Sequence, residues 1–484
     1  MDLLNSVNLL IFTIVSIISD KDHKPYFKVV QKLIKMKKSS ISRRSFLGKA
    51  AVAGAAGVVA PSILGTSAGE FQQKAKTVTW LDAAPDGPVL KAGVIGCGGR
   101  GSGAALNFLA AGPNLQVTAL GDTFKDRIDK CNAGLKAKGM EVPANKCFVG
   151  FDAFQKVIDS GVDIVILATP PSFRPEHIAA AIVARKHIFA EKPVCVDPVG
   201  VRSVMASAEK AKGVDLTIVT GTQRRHQRNY VDNYNQVVAG AIGEIVGGNV
   251  WWNGGKLWHT PNNPGWSEME WMIRDWVNWC WLSGDHIVEQ HVHNLDVMNW
   301  FTGKHPVSAR GMGSRQRRVT GDQFDNFSIE YVFDNGMRFH SQCRQINGCW
   351  SLVAERIMGT KGSTNCSDSI LDLKGTEIWK YKYPVDKDGK PNRRAEMDPY
   401  VQEHIDMVTA IRTGKPFNEL ENTAISVMTA IMGRVSAYTG KETTWDQMMN
   451  SDMKLGPKVF AFGPVDVPKA VPVAGLAYVA KQGN

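Results

Sequence analysis

Across residues 88–222, short and nearly continuous apolar runs alternate with stretches whose apolar residues recur every three or four positions. The first pattern is a strand buried on both faces, the second an amphipathic helix. Strands are expected at 91–96, 115–121, 163–169, 187–190 and 216–220, and helices at 102–109, 153–160, 176–185 and 200–212. Strand alternating with helix predicts an α/β domain with a doubly wound parallel sheet, whose ligands bind beyond the carboxyl ends of the strands. From 223 the pattern changes. A helical segment at 229–242 leads into an alternating strand at 244–252, and further strands are expected near 327–333, 337–342 and 350–358. Asn335-Gly336 reads as a hairpin turn. Helices at 399–413 and 419–438 complete a second α/β domain, 223–461, built on an open, mixed sheet with hairpins. Residues 462–484, rich in Pro, Val and Ala, predict an extended arm laid on the body or on a neighbouring subunit.

Composition narrows the class. The 484 residues are 44% apolar and 21% charged, which excludes a disordered chain, a collagen-like repeat and a polytopic membrane protein. A formal charge of +11 would favour an anionic partner only if the basic residues sat in the folded part. Residues 1–50 hold ten Lys and Arg against three Asp, so +7 of that charge lies there and only +4 elsewhere. No nucleic-acid motif is present. Within that basic segment, Arg43-Arg44-Ser45-Phe46-Leu47 precedes a short Ala/Gly/Val run, the layout of an export signal. It resembles a twin-arginine signal over 36–69, with cleavage near 66–69 and a periplasmic destination for a protein folded beforehand. Residues 1–35 fit no part of that layout and read as an over-extended start or an uncleaved anchor. Eight scattered cysteines form neither a zinc framework nor a disulfide ladder.

The chemistry begins at the end of the first strand, with Gly96-Cys97-Gly98-Gly99-Arg100-Gly101. Glycines at these positions allow a tight turn and close approach of the backbone to a pyrophosphate, and the following helix offers oriented N–H groups. Asp122, ending the second strand, is placed to bind both ribose hydroxyls and to repel a 2′-phosphate, which favours NAD over NADP. Two further strand ends carry polar punctuation: Ala168-Thr169-Pro170-Pro171, with His177 after it, and Ala190-Glu191-Lys192-Pro193.

In this order the motifs resemble the Gfo/Idh/MocA oxidoreductases over about 90–438. The resemblance implies that Gly96, Gly98, Arg100, Gly101, Asp122, Thr169, Pro170 and His177 bind the dinucleotide. It further implies that Glu191 contacts the nicotinamide ribose, that Lys192 points into the active site, and that the open sheet floors it. The family's DxxxHxxD pattern reads here as Glu289, His293 and Asp296, with Glu replacing the usual Asp. On one helix, Glu289 and His293 would project together. Alcohol oxidation needs a base for the hydroxyl proton, and His293 is the candidate, with Lys192 as its cationic partner and Glu289 orienting the histidine or the substrate. His286, Glu289 and His293 also make a candidate metal-chelating set on one helical face. Arg225, His226 and Asp296 are candidate substrate ligands. Trp258, in a Pro/Asn/Gly-rich loop, is a candidate platform for a pyranose ring.

The sequence-level expectation is an exported oxidoreductase that passes hydride from a ring hydroxyl carbon of a sugar or glycoside to tightly bound NAD. A homo-oligomer, dimer or tetramer, would form through the open sheet. Two other readings stay open: a glycoside hydrolase or lyase working by transient C3 oxidation and elimination, and a catalytically silent sugar- or nucleotide-binding protein.

Overall fold

The computed structural model describes residues 79–476. The signal-like segment and the end of the arm, 477–484, lie outside the described residues. Six parallel strands form the first sheet: β1 (Leu90–Ile95), β2 (Leu115–Asp122), β3 (Cys147–Val149), β4 (Ile164–Leu167), β5 (His187–Ala190) and β6 (Ile218–Thr220). Their order is β3-β2-β1-β4-β5-β6. The order reverses between β1 and β4, so the crevice above these two strands is where a ligand belongs. All four residues of β4 are buried, which is why its run is unbroken rather than alternating.

The second sheet has nine strands: β7 (Ile245–Gly254), β8 (Ser308–Ser314), β9 (Asn326–Val332), β10 (Arg338–Gln345), β11 (Leu352–Gly359), β12 (Gly362–Thr364), β13 (Ser369–Asp372), β14 (Glu377–Lys380) and β15 (Thr443–Thr444). Its order is β14-β13-β12-β11-β7-β10-β9-β8-β15, antiparallel except where β7 runs parallel to β10. The β9–β10 hairpin turns at Asn335-Gly336, with Gly336 at φ +84° and Phe333 N–H donating to the Met337 carbonyl. Helices Val292–Thr302 and Leu420–Thr439 fill one face of this sheet.

The chain does not divide between the two sheets in sequence order. The late helix Pro399–Thr413 returns to the first sheet, where Ile405, Met407 and Val408 join the core around Val94, Phe108 and Ile166. A smaller third core unites Phe124 and Phe173 of the first half with Met269, Met272, Ile273, Trp279 and Trp281, and with Val465 of the arm. That cluster holds residues 258–282, a strap whose Trp258, Thr260, Ile273, Arg274 and Trp276 line the crevice.

Candidate active site

The glycine turn has the form a dinucleotide needs. Gly96 sits at φ +94°, and a Cβ there would meet the Thr169 nitrogen at 2.5 Å. A Cβ on Gly101 would lie 1.8 Å from the Gly96 carbonyl oxygen, so only glycine lets the helix pack this close to the strand. Around Gly98 and Gly99, in contrast, a Cβ would meet nothing within 4 Å. That space adjoins the start of helix Gly99–Ala110, whose N-cap, Gly98, supplies no side chain to its first N–H groups. A pyrophosphate fits there. The Asp122 carboxylate accepts from the Cys97 N–H (2.7 Å) and the Phe124 N–H (2.9 Å), which braces the turn. Burial raises the Asp122 pKa, and these two N–H groups work against that rise.

These residues line a cleft of about 540 Å3, a volume suited to a dinucleotide. Gly96, Gly98, Arg100, Asp122, Thr169, Pro170 and His177 all line it. His177 stacks on Phe154 (ring centroids 4.2 Å apart), and burial beside Arg174 lowers its pKa to about 3, so it stays neutral. Glu191 departs from expectation. It is buried and pairs with Arg100, so Arg100 lines the cleft and Glu191 stands behind it. Arg174, which the sequence reading missed, donates to the carbonyls of Thr169 (2.5 Å), Glu191 (3.0 Å) and Pro193 (2.6 Å) and so locks two strand ends together. An arginine serving backbone carbonyls leaves no pattern in sequence.

Lys192 leaves the end of β5, beside β4 in the sheet. Its ammonium is 3.0 Å from Glu289 Oε1 and also donates to the Glu289 carbonyl. Glu289 thus holds the lysine, and no bond joins it to His293 among the described residues. The helix expected to carry both Glu289 and His293 is broken. His286–Glu289 is one turn, Asp285 at φ +72° caps it, and a new helix starts at Val292.

His293 stacks on Trp252 of β7 (5.6 Å, 19°) and is 6% exposed. Its ring nitrogens have no hydrogen-bond partner among the described residues. Burial pushes its pKa well below the usual histidine value, and Lys192 and Arg224 push the same way. It is thus a neutral imidazole within electrostatic reach of Lys192.

The metal set does not assemble. His286 Nδ1 is 2.9 Å from Asp285 and its ring packs on Phe327, away from its two supposed co-ligands. Among the described residues no three His, Cys, Asp or Glu side chains form a metal-binding group. Three substrate-ligand expectations also fail. Arg225 grips Asp296 through two bonds (2.8 and 2.9 Å), both side chains are buried, and Asp296 accepts further from Ser426. Breaking such a pair costs about 3–5 kcal/mol. His226 lies between Asp406 (2.6 Å) and Glu419 (3.2 Å). These groups anchor the helix that carries His293 and the joint between the halves.

The remaining expectation moves. Trp258, 49% exposed, lines the nucleotide cleft together with Thr260, Ile273, Arg274 and Trp276. These residues belong to the second half and roof a cleft built by the first. Arg274 fastens the roof: it binds Asp126 through 3.2 and 2.9 Å bonds and lies 3.9 Å over the Phe124 ring and 4.8 Å over Trp266. From the arm, Phe462 packs on Phe124 and Phe151. No motif marked this strap, because its partners are over a hundred residues apart.

Site and fold together define a nucleotide-dependent α/β oxidoreductase. Two family models match in series, the Gfo/Idh/MocA oxidoreductase family's NAD-binding Rossmann fold over residues 90–219 and the GFO/IDH/MocA C-terminal domain over 235–365. Together they span more than half of the chain, which belongs to this family. It is an NAD(P)-dependent enzyme acting on CH–OH groups. It is similar to a scyllo-inositol 2-dehydrogenase (NAD(+)) of Bacillus subtilis, at 23% identity over 57% of this chain and 72% of the relative. It is 32% identical to a glycosyl hydrolase family 109 protein of Streptomyces coelicolor over 33% of this chain and 34% of that one. An aldose-aldose oxidoreductase structure from Caulobacter crescentus superposes with a TM-score of 0.57 at 18% identity, covering 74% and 99% of the two chains.

Proposed function

We propose that the protein oxidises a ring hydroxyl of a sugar or glycoside, using NAD kept bound through many turnovers. The observation that carries this reading is a neutral imidazole, His293, with no hydrogen-bond partner among the described residues and within electrostatic reach of the Lys192 ammonium at the end of β5. A nicotinamide held here supplies the hydride acceptor. His293 accepts the hydroxyl proton, since a buried imidazole with no other bond is free to do so. The Lys192 ammonium stabilises negative charge developing on the same oxygen, and Glu289 holds it in place. Asp122 favours NAD because its carboxylate opposes a 2′-phosphate. The roof from Trp258 to Trp276, pinned by Arg274, supports retention, since these residues line the cleft from the second half.

A retained cofactor must be reoxidised in place, by a second sugar or by returning its hydride to the same one. The similarity to a family 109 glycosyl hydrolase over a third of each chain supports the second course: transient C3 oxidation, elimination of the aglycone, addition of water and re-reduction. The Arg43-Arg44 segment supports export by the twin-arginine route, checked by locating the protein and sequencing its mature N-terminus. Met312 (75% exposed) and Met358 (40%) on the open sheet support a homo-oligomer, checked by light scattering.

The test is to denature purified protein and identify the released nucleotide, then incubate holoenzyme with a panel of sugars and glycosides. A two-dalton loss from a sugar supports net oxidation, and free sugar without keto product supports cleavage. Released NADP, or no change in any sugar, overturns the proposal.

A further inference from the structure

A second, smaller cavity of about 120 Å3 is lined by Lys256, Arg317, Arg318, Gln345, Ile346 and Asn347. Three of its six residues are cations, and none forms an ion pair among the described residues. Lys256 and Arg317 are exposed. Arg318 is 9% exposed, held by Asn278 (2.6 Å) and Gln345 (2.5 Å), and its Nε–H is buried with no acceptor. The nearby Asp325 is spent on the backbone N–H groups of Gln316, Arg317 and Arg318 and does not line the cavity. Three cations with no ion-pair partner among the described residues, one of them buried, make a costly arrangement that an anion would relieve.

Two hydrogen-bond paths tie the cavity to the active site. Gln345, which holds Arg318, also donates to Gln290 (2.9 Å), the neighbour of Glu289 on which Lys192 is held. Asn278, which also holds Arg318, donates to the carbonyl of Trp258 (3.2 Å) in the cleft roof. The cavity is thus joined by hydrogen bonds to the residue next to Glu289 and to the roof at Trp258. Its volume suits a carboxylate, and the three cations around it supply the charge that a carboxylate needs.

We propose that this cavity seats the carboxylate of an acidic sugar, so that the substrate is a uronic acid or a glycoside containing one. The proposal rests on the sugar-oxidising reading, since it takes the ring to lie at Lys192 and His293. It is tested by calorimetric titration of the holoenzyme with methyl glucoside, methyl glucuronide and methyl glucoside 6-sulfate, repeated with the Lys256→Ala/Arg317→Ala variant. Both substitutions are at exposed positions, so the fold survives. The glucuronide should bind at least about tenfold tighter than the glucoside, and the variant should lose most of that ratio. Glucuronide binding no tighter than glucoside, including none at all, overturns the proposal, as does a ratio the variant leaves unchanged. A sulfate ester that binds tighter than the glucuronide overturns the carboxylate assignment. Because the readout is binding, a holoenzyme that prefers the glucuronide but oxidises nothing refutes the oxidoreductase reading alone. One that oxidises glucoside without an acid preference refutes this inference alone.

Discussion

At the scale of single residues, the catalytic reading separates two side chains that a shared motif joins. Glu289 touches Lys192, whereas His293 stands alone against Trp252. Glu289→Gln keeps a hydrogen-bond acceptor but removes the charge that holds the ammonium. It should lower kcat by about tenfold while leaving the bound nucleotide in place, since one charge-assisted hydrogen bond contributes about 1.5–3 kcal/mol. His293→Ala removes the proposed proton acceptor, and its loss should be about 10²–10⁴-fold. Rapid-quench turnover of both variants, with nucleotide content measured in parallel, checks the order. Equal losses would mean that the two carboxylate and imidazole groups act as one unit.

At the scale of elements, the strap is the feature with the clearest consequence. Its fastening joins Arg274, at the end of the short helix Glu268–Arg274, to Asp126 in the first turn of helix Lys125–Lys136. Arg274 holds Asp126 below the usual carboxylate range. Asp126 is 60% exposed, so the bridge alone contributes about 1 kcal/mol or less, and the contact with Phe124 adds a comparable amount. Arg274→Ala should therefore speed nucleotide release by about tenfold without changing which nucleotide is bound, as read by the decay of bound NAD during dialysis.

The same elements mark how far the sequence could be read. The strands β1, β4 and β5 were legible because a strand buried on both faces is a run of apolar residues, and the glycine turn because its backbone geometry admits only glycine at Gly96 and Gly101. The helix break near Glu289 was not legible. It depends on Asp285, whose carboxylate binds its own helix turn and also Tyr438, 153 residues away. Arg225 and His226 looked like substrate ligands for the same reason: a charged residue near a domain junction shows its type in sequence but not its partner. Of the tryptophans, Trp279 and Trp281 form the core beneath the strap, whereas Trp258 reaches the cleft. Spacing does not separate these cases, because the strap has no regular period.

For the whole molecule, the joint between the halves is electrostatic as well as apolar. His226 follows β6 in the first half, Asp406 lies on helix Pro399–Thr413, and Glu419 precedes helix Leu420–Thr439. Glu419 also accepts from the Thr220 N–H at the end of β6 (2.9 Å), so the long late helices are tied to the edge of the nucleotide-binding sheet at one point. Burial opposes charge on His226, but Glu419 and Asp406 outweigh it and hold the imidazolium to a pKa of about 10. In the unfolded chain the same group titrates near its ordinary value of about 6.5. A folded pKa above the unfolded one means that the folded state holds the proton more tightly. The resulting stability is complete below about pH 6.5 and is lost as pH rises toward 10, by up to about 1.4 kcal/mol per pH unit. Denaturant midpoints measured from pH 6 to pH 10 should therefore fall steadily. His226→Gln, which cannot carry the proton, should be less stable at pH 6 and should show a flatter decline. If wild type and variant declined in parallel, the joint would not depend on this charge.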